Sequence, residues 1–348
     1  MDILNGKTPA QLGYRMPAEW EPHSACWLSW PRREGISFPD AYDDVLPALV
    51  DLAVGISDSE MVCINVENAA REKEVRGYLG ERWNANIKFF HIAINEPWCR
   101  DHGPLFLKRA GTDPLLILDW GYNAWGGKYP PFDLDDKVPT EIGKLLKLPV
   151  VHPGMILEGG SIEVNGTGTL LTTESCLLNP NRNPEMSKAQ IEQKLKDFLG
   201  VTNILWLGDG IEGDDTDGHI DDLTRFVNRQ TVVTAVEDDP ADTNYKPLQE
   251  NLKRLKTLKL EDGRPLEIVT LPMPSALVQE DMRLPASYAN FYIGNKVVLL
   301  PVFEDPNDEQ AIETIAKLFP GRKILPVSCK KLVWGLGTFH CLTQQQPA

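Results

Sequence analysis

The chain has 348 residues, 42% of them hydrophobic and 24% charged, enough to bury a large core as two ordinary domains or one large closed one. Its 35 basic and 50 acidic residues leave a net charge of −15, which repels nucleic acid and anionic membranes and weakly steers cationic small molecules inward. No apolar run approaches the roughly 18 residues that a bilayer span needs. The opening stretch "MDILNGKTPAQLGYRMPAEWEP" lacks the basic start and apolar core of a secretory signal, so a cytoplasmic setting is expected. Cys26, Cys63, Cys99, Cys176, Cys329 and Cys341 are scattered, with no CxxC pair, and are read as reduced thiols.

Taken in chain order, the elements repeat. "ACWLSWP" (25–31), an apolar helix "AYDDVLPALVDLAVGI" (41–56) and "MVCINV" (61–66) make a unit that lacks its first strand. "GPLFLKRAGTDPLLILDW" (103–120) reads as a hairpin with a longer loop, followed by the helix "TEIGKLLKL" (140–148) and the apolar run "PVVHPG". "IEVNGTGTLLTT" (162–173) is a hairpin with Asn165-Gly166 at its turn. The helix "SKAQIEQKLKDFLG" (187–200) follows, with Ser187 as N-cap, Gln190 completing a capping box, Ile191, Leu195 and Phe198 on one face, and Gly200 as stop. "NILWLG" closes that unit. "TRFVNRQTVVTAV" (224–236), "KPLQENLKRLKTL" (246–258) and "LEIVTLP" repeat the pattern, as do "NFYIGNKVVLLPVF" (290–303), "DEQAIETIAKLFPG" (308–321) and "KILPVS". Gly294-Asn295 is read as turn chemistry with positive φ.

Four units of strand–strand–helix–strand therefore follow one incomplete unit, at a period typical of radial or solenoid arrays. The C-terminal "GTFHCLTQ" (337–344) supplies the missing strand, so the last strand pairs with the first and closes a ring that carries Cys341. No Pro/Gly/Ser linker interrupts the pattern, and residues 1–348 read as one domain.

The stretches that open the units are polar: "WCRDHGP" (98–104), "LEGGS" (157–161), "DTDGHIDD" (215–222), "LPASYAN" (284–290) and "GLGTFHC" (335–341). In a radial array they converge on the axis and bring together a thiol, a histidine and several carboxylates. A thiolate attacks an electrophilic carbon, and a histidine protonates the leaving group and then activates water. Carboxylates oppose an oxyanion and so serve a protease poorly. They suit a planar guanidinium, which they grip bidentately. Attack on a guanidinium carbon with loss of ammonia is deimination.

The chain resembles the agmatine deiminase / bacterial-type peptidylarginine deiminase family of the guanidino-modifying superfamily, the five-bladed α/β propellers called penteins. The resemblance is carried by "MPAEWEPH" (16–23), "WCRDHGP", "YPPFDLDD" (129–136), "LEGGSIEVNGTGTLLTTESCLLNPNRNP" (157–184), "DDTDGHIDDLTRF" (214–226), "ASYANFYIGN" (286–295) and "FHCLTQQQP" (339–347). It implies Cys341 as nucleophile, His219 as general acid/base, Asp101 and Asp221 as guanidinium-holding carboxylates, Glu158 of the EGG motif in support, and Trp98 lining the substrate. It implies no cofactor and no metal. It implies a small cationic guanidine as partner, agmatine first and peptidylarginine or free arginine as alternatives; the oligomeric state stays open. Three departures, His102 where the family carries Thr, "WGLGTF" before the His-Cys, and a shorter connection in "LPMPSALVQEDMRLPASY" (271–288), are expected to border the pocket mouth.

Blander readings stand beside these. A non-catalytic guanidine-binding protein would not need the Cys341/His219 pair. "DDTDGHIDD" fails as an EF-hand, because Gly213 and Thr224 stand where acids are required. A zinc site of His219, His340 and Cys341, as in a metallohydrolase, lacks paired spacing. Asp215, Asp217 and Asp222 read as loop caps or solvated groups, and Arg100 as one half of a structural salt bridge. His340 is expected to face away from Cys341 across a strand. The other five cysteines read as structural.

Overall fold

The computed structural model describes residues 4–111 and 114–348; residues 1–3 of the opening stretch, and Thr112 and Asp113 in the loop of the 103–120 hairpin, lie outside the described residues. Five sheets share one connectivity. In each, a strand that has an antiparallel neighbour leads into a helix, and the strand after the helix adds parallel to it on the other side. Parallel neighbours need such a crossover, whereas the antiparallel pair needs only a turn.

Four of these sheets follow the sequence pattern. Leu105–Lys108, Leu115–Leu118 and Val150–Val151 form one, with helix Val138–Leu146 between the last two. Ile162–Val164, Thr169–Thr173 and Asn203–Leu207 enclose helix Lys188–Leu199. Thr224–Phe226, Thr231–Val236 and Glu267–Pro272 enclose helix Tyr245–Leu255. Tyr292–Ile293, Val297–Val302 and Lys323–Ser328 enclose helix Asp308–Leu318. The capping box of Ser187 and Gln190 is present, and Gly200 ends that helix at φ 69°. Ile191, Leu195 and Leu199 are buried, while Phe198 packs edge-on against Trp120.

The fifth sheet closes the chain on itself. Thr343–Pro347 runs antiparallel to His23–Ser29, with Trp27 opposite Gln344. Met61–Val66 lies parallel on the other side, after helix Tyr42–Ser57. This sheet also carries a fourth strand, Ile87–His91, reached through helix Ala69–Leu79, and neither element is legible in the periodicity above. That helix buries only Val75 and Leu79, so its sequence shows almost no apolar stripe.

Two local expectations are corrected. The closing strand begins at Thr343, and Phe339–Leu342 is a single helical turn rather than part of the strand. The Asn290 carboxamide oxygen causes this, by accepting from the His340 N–H (3.1 Å), the Cys341 N–H (3.4 Å) and the Thr338 hydroxyl (2.7 Å). In the last hairpin neither Gly294 nor Asn295 has positive φ. Asn295 instead brackets the backbone of His23, accepting from its N–H and donating to its C=O, both at 2.9 Å, and so ties this hairpin to the closing sheet. Asn165 does serve its turn, accepting from the N–H groups of Thr167, Gly168 and Thr169.

Among the described residues no helix is long and apolar enough to cross a membrane.

Candidate active site

Three of the polar stretches at the sheet openings, 98–104, 157–161 and 215–222, meet at Gly160. A Cβ there would lie 2.6 Å from His219 Nδ1, 2.8 Å from Asp101 Oδ1 and 3.1 Å from Asp221 Oδ2. Glycine is the residue that lets the backbone come this close. Its own N–H donates to Asp101 Oδ1 at 2.9 Å, and the second oxygen of Asp101 accepts from Trp125 Nε1 at 3.0 Å.

The four groups differ in charge state. Burial pushes the Asp101 carboxyl up to about 6, against the lowering effect of His219 and with Asp221 and Glu158 adding to the rise. For Asp221 burial is outweighed by the hydrogen bond and charge of His340, which hold the carboxyl below its ordinary value. For His219 burial is outweighed by Asp101, Cys176 and Asp221, which hold the imidazole well above its ordinary value and so charged. The Cys341 thiol is pushed well up by burial and by the charges of Asp221, Asp222 and Asp101. The site therefore holds an imidazolium on His219 and a neutral thiol on Cys341.

Neither His219 ring nitrogen has a hydrogen-bond partner; Nδ1 lies 3.7 Å from Asp101 Oδ1 and 4.0 Å from Asp221 Oδ1. Asp221 Oδ1 is likewise unpartnered. Glu158 is fully buried and accepts from Arg182 Nε at 2.6 Å through one oxygen, leaving the other unpartnered. Cys341 Sγ accepts from Asn290 Nδ2 at 3.1 Å and lies 3.8 Å from Asp221 Oδ2. A cavity of about 140 Å³ opens onto this cluster, walled by Trp98, Asp101, Trp125, Tyr129, Asp215 and Cys341. Trp98 donates through Nε1 to Ser37 Oγ at 2.9 Å. Its ring passes so close to Gly337 that a Cβ there would meet it at 2.7 Å and Cys341 Sγ at 3.2 Å.

All six residues singled out from the sequence thus lie around one centre, but several neighbours were misplaced. His340 does not face away: its Nδ1 lies 2.7 Å from Asp221 Oδ2 and its Nε2 2.7 Å from Glu19 Oε2. The alternation rule fails because this stretch is helical. His102 does not border the mouth; it is buried, with Nε2 3.2 Å from the Glu96 carbonyl and its ring against Tyr122. Burial pushes its imidazole down to about 4. Trp334, Gly335 and Leu336 of the altered loop do line the cavity. Asp222 is buried rather than solvated and accepts from Asn290, while Asp217 accepts from Arg182 at 2.5 Å and pairs with Lys128 at 2.9 Å. Asp215 stands at the cavity wall, bonded to Tyr129. Arg100 turns away from the cavity toward Glu19, 3.6 Å off.

Several residues escaped the sequence reading. Trp125 holds Asp101 from a loop at φ 55°, an unusual conformation for a side chain of that size. Arg182, Glu19 and Arg225 are buried charges in stretches whose motif was noted but whose partners are remote in sequence. Among the described residues, the one group with metal-ligand spacing is Glu158, Cys176 and His219, and not the His219, His340 and Cys341 set considered above.

The family model for Porphyromonas-type peptidyl-arginine deiminase matches residues 15–347. The chain is 37% identical to an agmatine deiminase of Pseudomonas syringae pv. tomato over 100% of this chain and 99% of that one. It is 36% identical to an agmatine deiminase of Medicago truncatula, covering 98% of each. Among solved structures it is similar to agmatine deiminase of Enterococcus faecalis (TM-score 0.92, 35% identity, 98% of each chain). It is also similar to a Cys-to-Ser variant of C. jejuni agmatine deiminase with substrate bound (TM-score 0.88, 32% identity, 96% of each chain). With residues 15–347 matched and relatives above 30% identity along almost its whole length, the chain belongs to the Porphyromonas-type peptidyl-arginine deiminase family.

Proposed function

We propose that the protein hydrolyses the guanidine group of agmatine to N-carbamoylputrescine and ammonia, without cofactor or metal, as one domain built as a five-bladed propeller and working in the cytoplasm. The single observation that carries the reading is the convergence on Gly160 of the His219 imidazole and the Asp101 and Asp221 carboxylates, with Asp101 and Cys341 both lining one narrow cavity. An array of buried, unpartnered acceptors is costly unless a cation fills it. A guanidinium supplies both the charge and the N–H donors.

Asp101 and Asp221 hold the guanidinium nitrogens. The incoming cation offsets the carboxylate charges that keep Cys341 protonated, so the thiol ionises with the substrate in place and its proton leaves to solvent. The thiolate attacks the guanidinium carbon and gives a neutral tetrahedral adduct. His219, as imidazolium, donates its proton to one amino group, and ammonia departs. A cationic S-alkylthiouronium on Cys341 and a neutral His219 remain. His219 then takes a proton from water as the hydroxide adds to the same carbon. Collapse breaks the carbon–sulfur bond, the hydroxyl proton is lost, and the ureido product leaves. Trp98, Trp125 and Tyr129 enclose the tetramethylene chain. Asp215 at the cavity wall faces the distal ammonium, where it would oppose the carboxylate of free arginine.

Ammonia release from agmatine, arginine and an arginine-containing peptide, each with and without chelator, tests the assignment. Agmatine is expected to lead free arginine by at least about tenfold in kcat/KM, the equivalent of roughly 1.4 kcal/mol. Equal rates, or a faster peptide, would remove agmatine. Loss of activity with chelator would point to a metallohydrolase. Binding of agmatine without ammonia release would leave only a guanidine-binding protein.

A further inference from the structure

Cys176 is a buried thiol that the mechanism above does not use, yet it stands beside the residue the mechanism uses twice. One Glu158 carboxylate oxygen, the Cys176 sulfur and a His219 ring nitrogen lie within 4.8 Å of one another, and all three residues are fully buried. They come from three separate loops. Glu158 precedes the turn Gly159–Ser161, Cys176 sits in the helical turn Glu174–Leu177, and His219 precedes the turn Ile220–Asp222. Two of these loops are linked through Thr173, whose hydroxyl accepts from the Cys176 N–H at 3.3 Å and donates at 2.5 Å to the carbonyl of Gly218. Arg182 occupies only one oxygen of Glu158 and the second has no hydrogen-bond partner, while His219 has the Cys176 thiol beside it and its Nδ1 only at ion-pair distance from Asp101 and Asp221.

We propose that Glu158, Cys176 and His219 form a buried site for a single thiophilic divalent cation of the zinc type, and that its occupation switches the enzyme off. Sulfur, nitrogen and carboxylate oxygen together are a zinc donor set, whereas magnesium and calcium favour oxygen alone. The positive charge of Arg182 opposes a cation here, but Asp101 and Asp221, 3.7 and 4.0 Å from His219 Nδ1, supply two more negative charges. Binding transfers no electrons: zinc–sulfur, zinc–nitrogen and zinc–oxygen bonds form. The Cys176 thiol releases its proton, and His219 releases the one it carries as imidazolium. A metal-bound His219 cannot protonate departing ammonia, so the inhibition, though not the binding, rests on the hydrolytic reading above. The site differs from trapping by the nucleophile, since Cys341 is not among its donors.

The test uses reduced, chelator-treated full-length Cys341→Ala protein, in which nucleophile trapping is impossible. Zinc alone, measured by competition with a chromophoric chelator, is expected to bind at one equivalent. Cobalt(II) alone is expected to give a thiolate-to-metal charge-transfer band. Adding Cys176→Ser or Cys176→Ala should weaken zinc by at least about tenfold and remove the band. The band in Cys341→Ala needs neither Cys176 variant to fold. In the otherwise unaltered enzyme, zinc should block ammonia release, and Cys176→Ser should require at least about tenfold more zinc for the same fractional block. Zinc affinity indifferent to Cys176, loss of binding on Cys341→Ala alone, or a cobalt complex without the band would overturn the site. Cys176-dependent zinc binding in a protein inactive on every guanidine would leave the site standing and remove the function proposed above.

Discussion

Two clusters of buried charge lie back to back, and they are wired differently. Behind the cavity, Glu19 meets Arg225 at 2.8 Å, His340 at 2.7 Å and Arg100 at 3.6 Å, and Arg225 also pairs with Glu163 at 2.8 Å. His340 lies between Glu19 and Asp221, with one ring nitrogen 2.7 Å from a carboxylate oxygen on each side. There, Arg225 meets Glu19 and Glu163 at contact distance, and only Arg100 Nη2 is left without a hydrogen bond. In front, around Gly160, Asp221 Oδ1, Glu158 Oε2 and both His219 nitrogens have no partner. A paired buried network fixes a structure, and an unpaired one waits for a ligand. Asp221 belongs to both, anchored by one oxygen and offered by the other.

The largest test of this contrast is Cys341→Ser, which leaves both clusters in place. Turnover should fall by at least about a thousandfold, because a hydroxyl is not ionised where a thiol can be. Mass spectrometry of quenched enzyme should find an adduct on the Cys341 peptide; full activity in the serine protein would end the covalent mechanism.

Asp101→Asn and Glu19→Gln then separate front from back. Asp101→Asn should cost at least about a hundredfold in kcat/KM. Its amide would face either the Gly160 or the Trp125 N–H, so thermal unfolding should report a stability loss of only about 1 kcal/mol. Glu19→Gln strands Arg225 and His340, and denaturant titration should show about 3–5 kcal/mol lost. The reverse outcome would mean that the paired cluster is the functional one.

Gly160→Ala pushes a methyl into the convergence point. A drop in kcat/KM of at least about tenfold, with a smaller change in melting temperature, is expected, since the nearest atoms belong to His219, Asp101 and Asp221.

The pH dependence is subtler and runs in two directions. With its carboxyl raised to about 6, Asp101 is half protonated there, and kcat/KM should fall as pH drops below that value. For stability the sign is opposite. The folded state binds the Asp101 proton more tightly than the unfolded chain, so this group destabilises the fold above about pH 6, and the penalty fades toward pH 4. His219, raised above its ordinary value, contributes stability that is full below about pH 6.5 and is lost as pH rises through the folded value. Melting curves of wild type and Asp101→Asn across pH 4–8 read the first effect as their difference.

The smallest effect concerns His102, which sits behind the cavity wall. His102→Thr should change the agmatine-to-arginine ratio of kcat/KM by less than about twofold, and a larger shift would return this residue to the pocket mouth. Its imidazole, lowered to about 4, is a stability liability as pH falls from about 6.5 toward 4, because the unfolded chain takes up the proton first.

Much of this was legible in the sequence. Turn and cap chemistry located hairpins such as Ile162–Thr173 and the helix after Ser187, because those signals act within a few residues. The repeat made the closing sheet an expectation, and the family resemblance named Cys341, His219, Asp101, Asp221, Glu158 and Trp98, which lie around one centre. What escaped depends on distant partners. Asn290 bends the backbone before Cys341 into a helical turn, and no local pattern announces an acceptor 50 positions away. The same remoteness hid His340 between Asp221 and Glu19, and Cys176 beside His219. The helix Ala69–Leu79 was invisible because it buries too few apolar side chains to show a period.

The closing sheet has a kinetic consequence. Ser24 bonds to Gln346 across 322 positions of chain, and Cys341 enters the pocket two residues before the strand that makes this pairing. Contacts of such separation form late, since ordering a long loop must precede any gain from closing it. In refolding, the four other sheets can assemble from short-range contacts while the nucleophile is still outside. Far-ultraviolet dichroism should therefore recover ahead of ammonia release, and the lag between them measures the time the ring takes to shut.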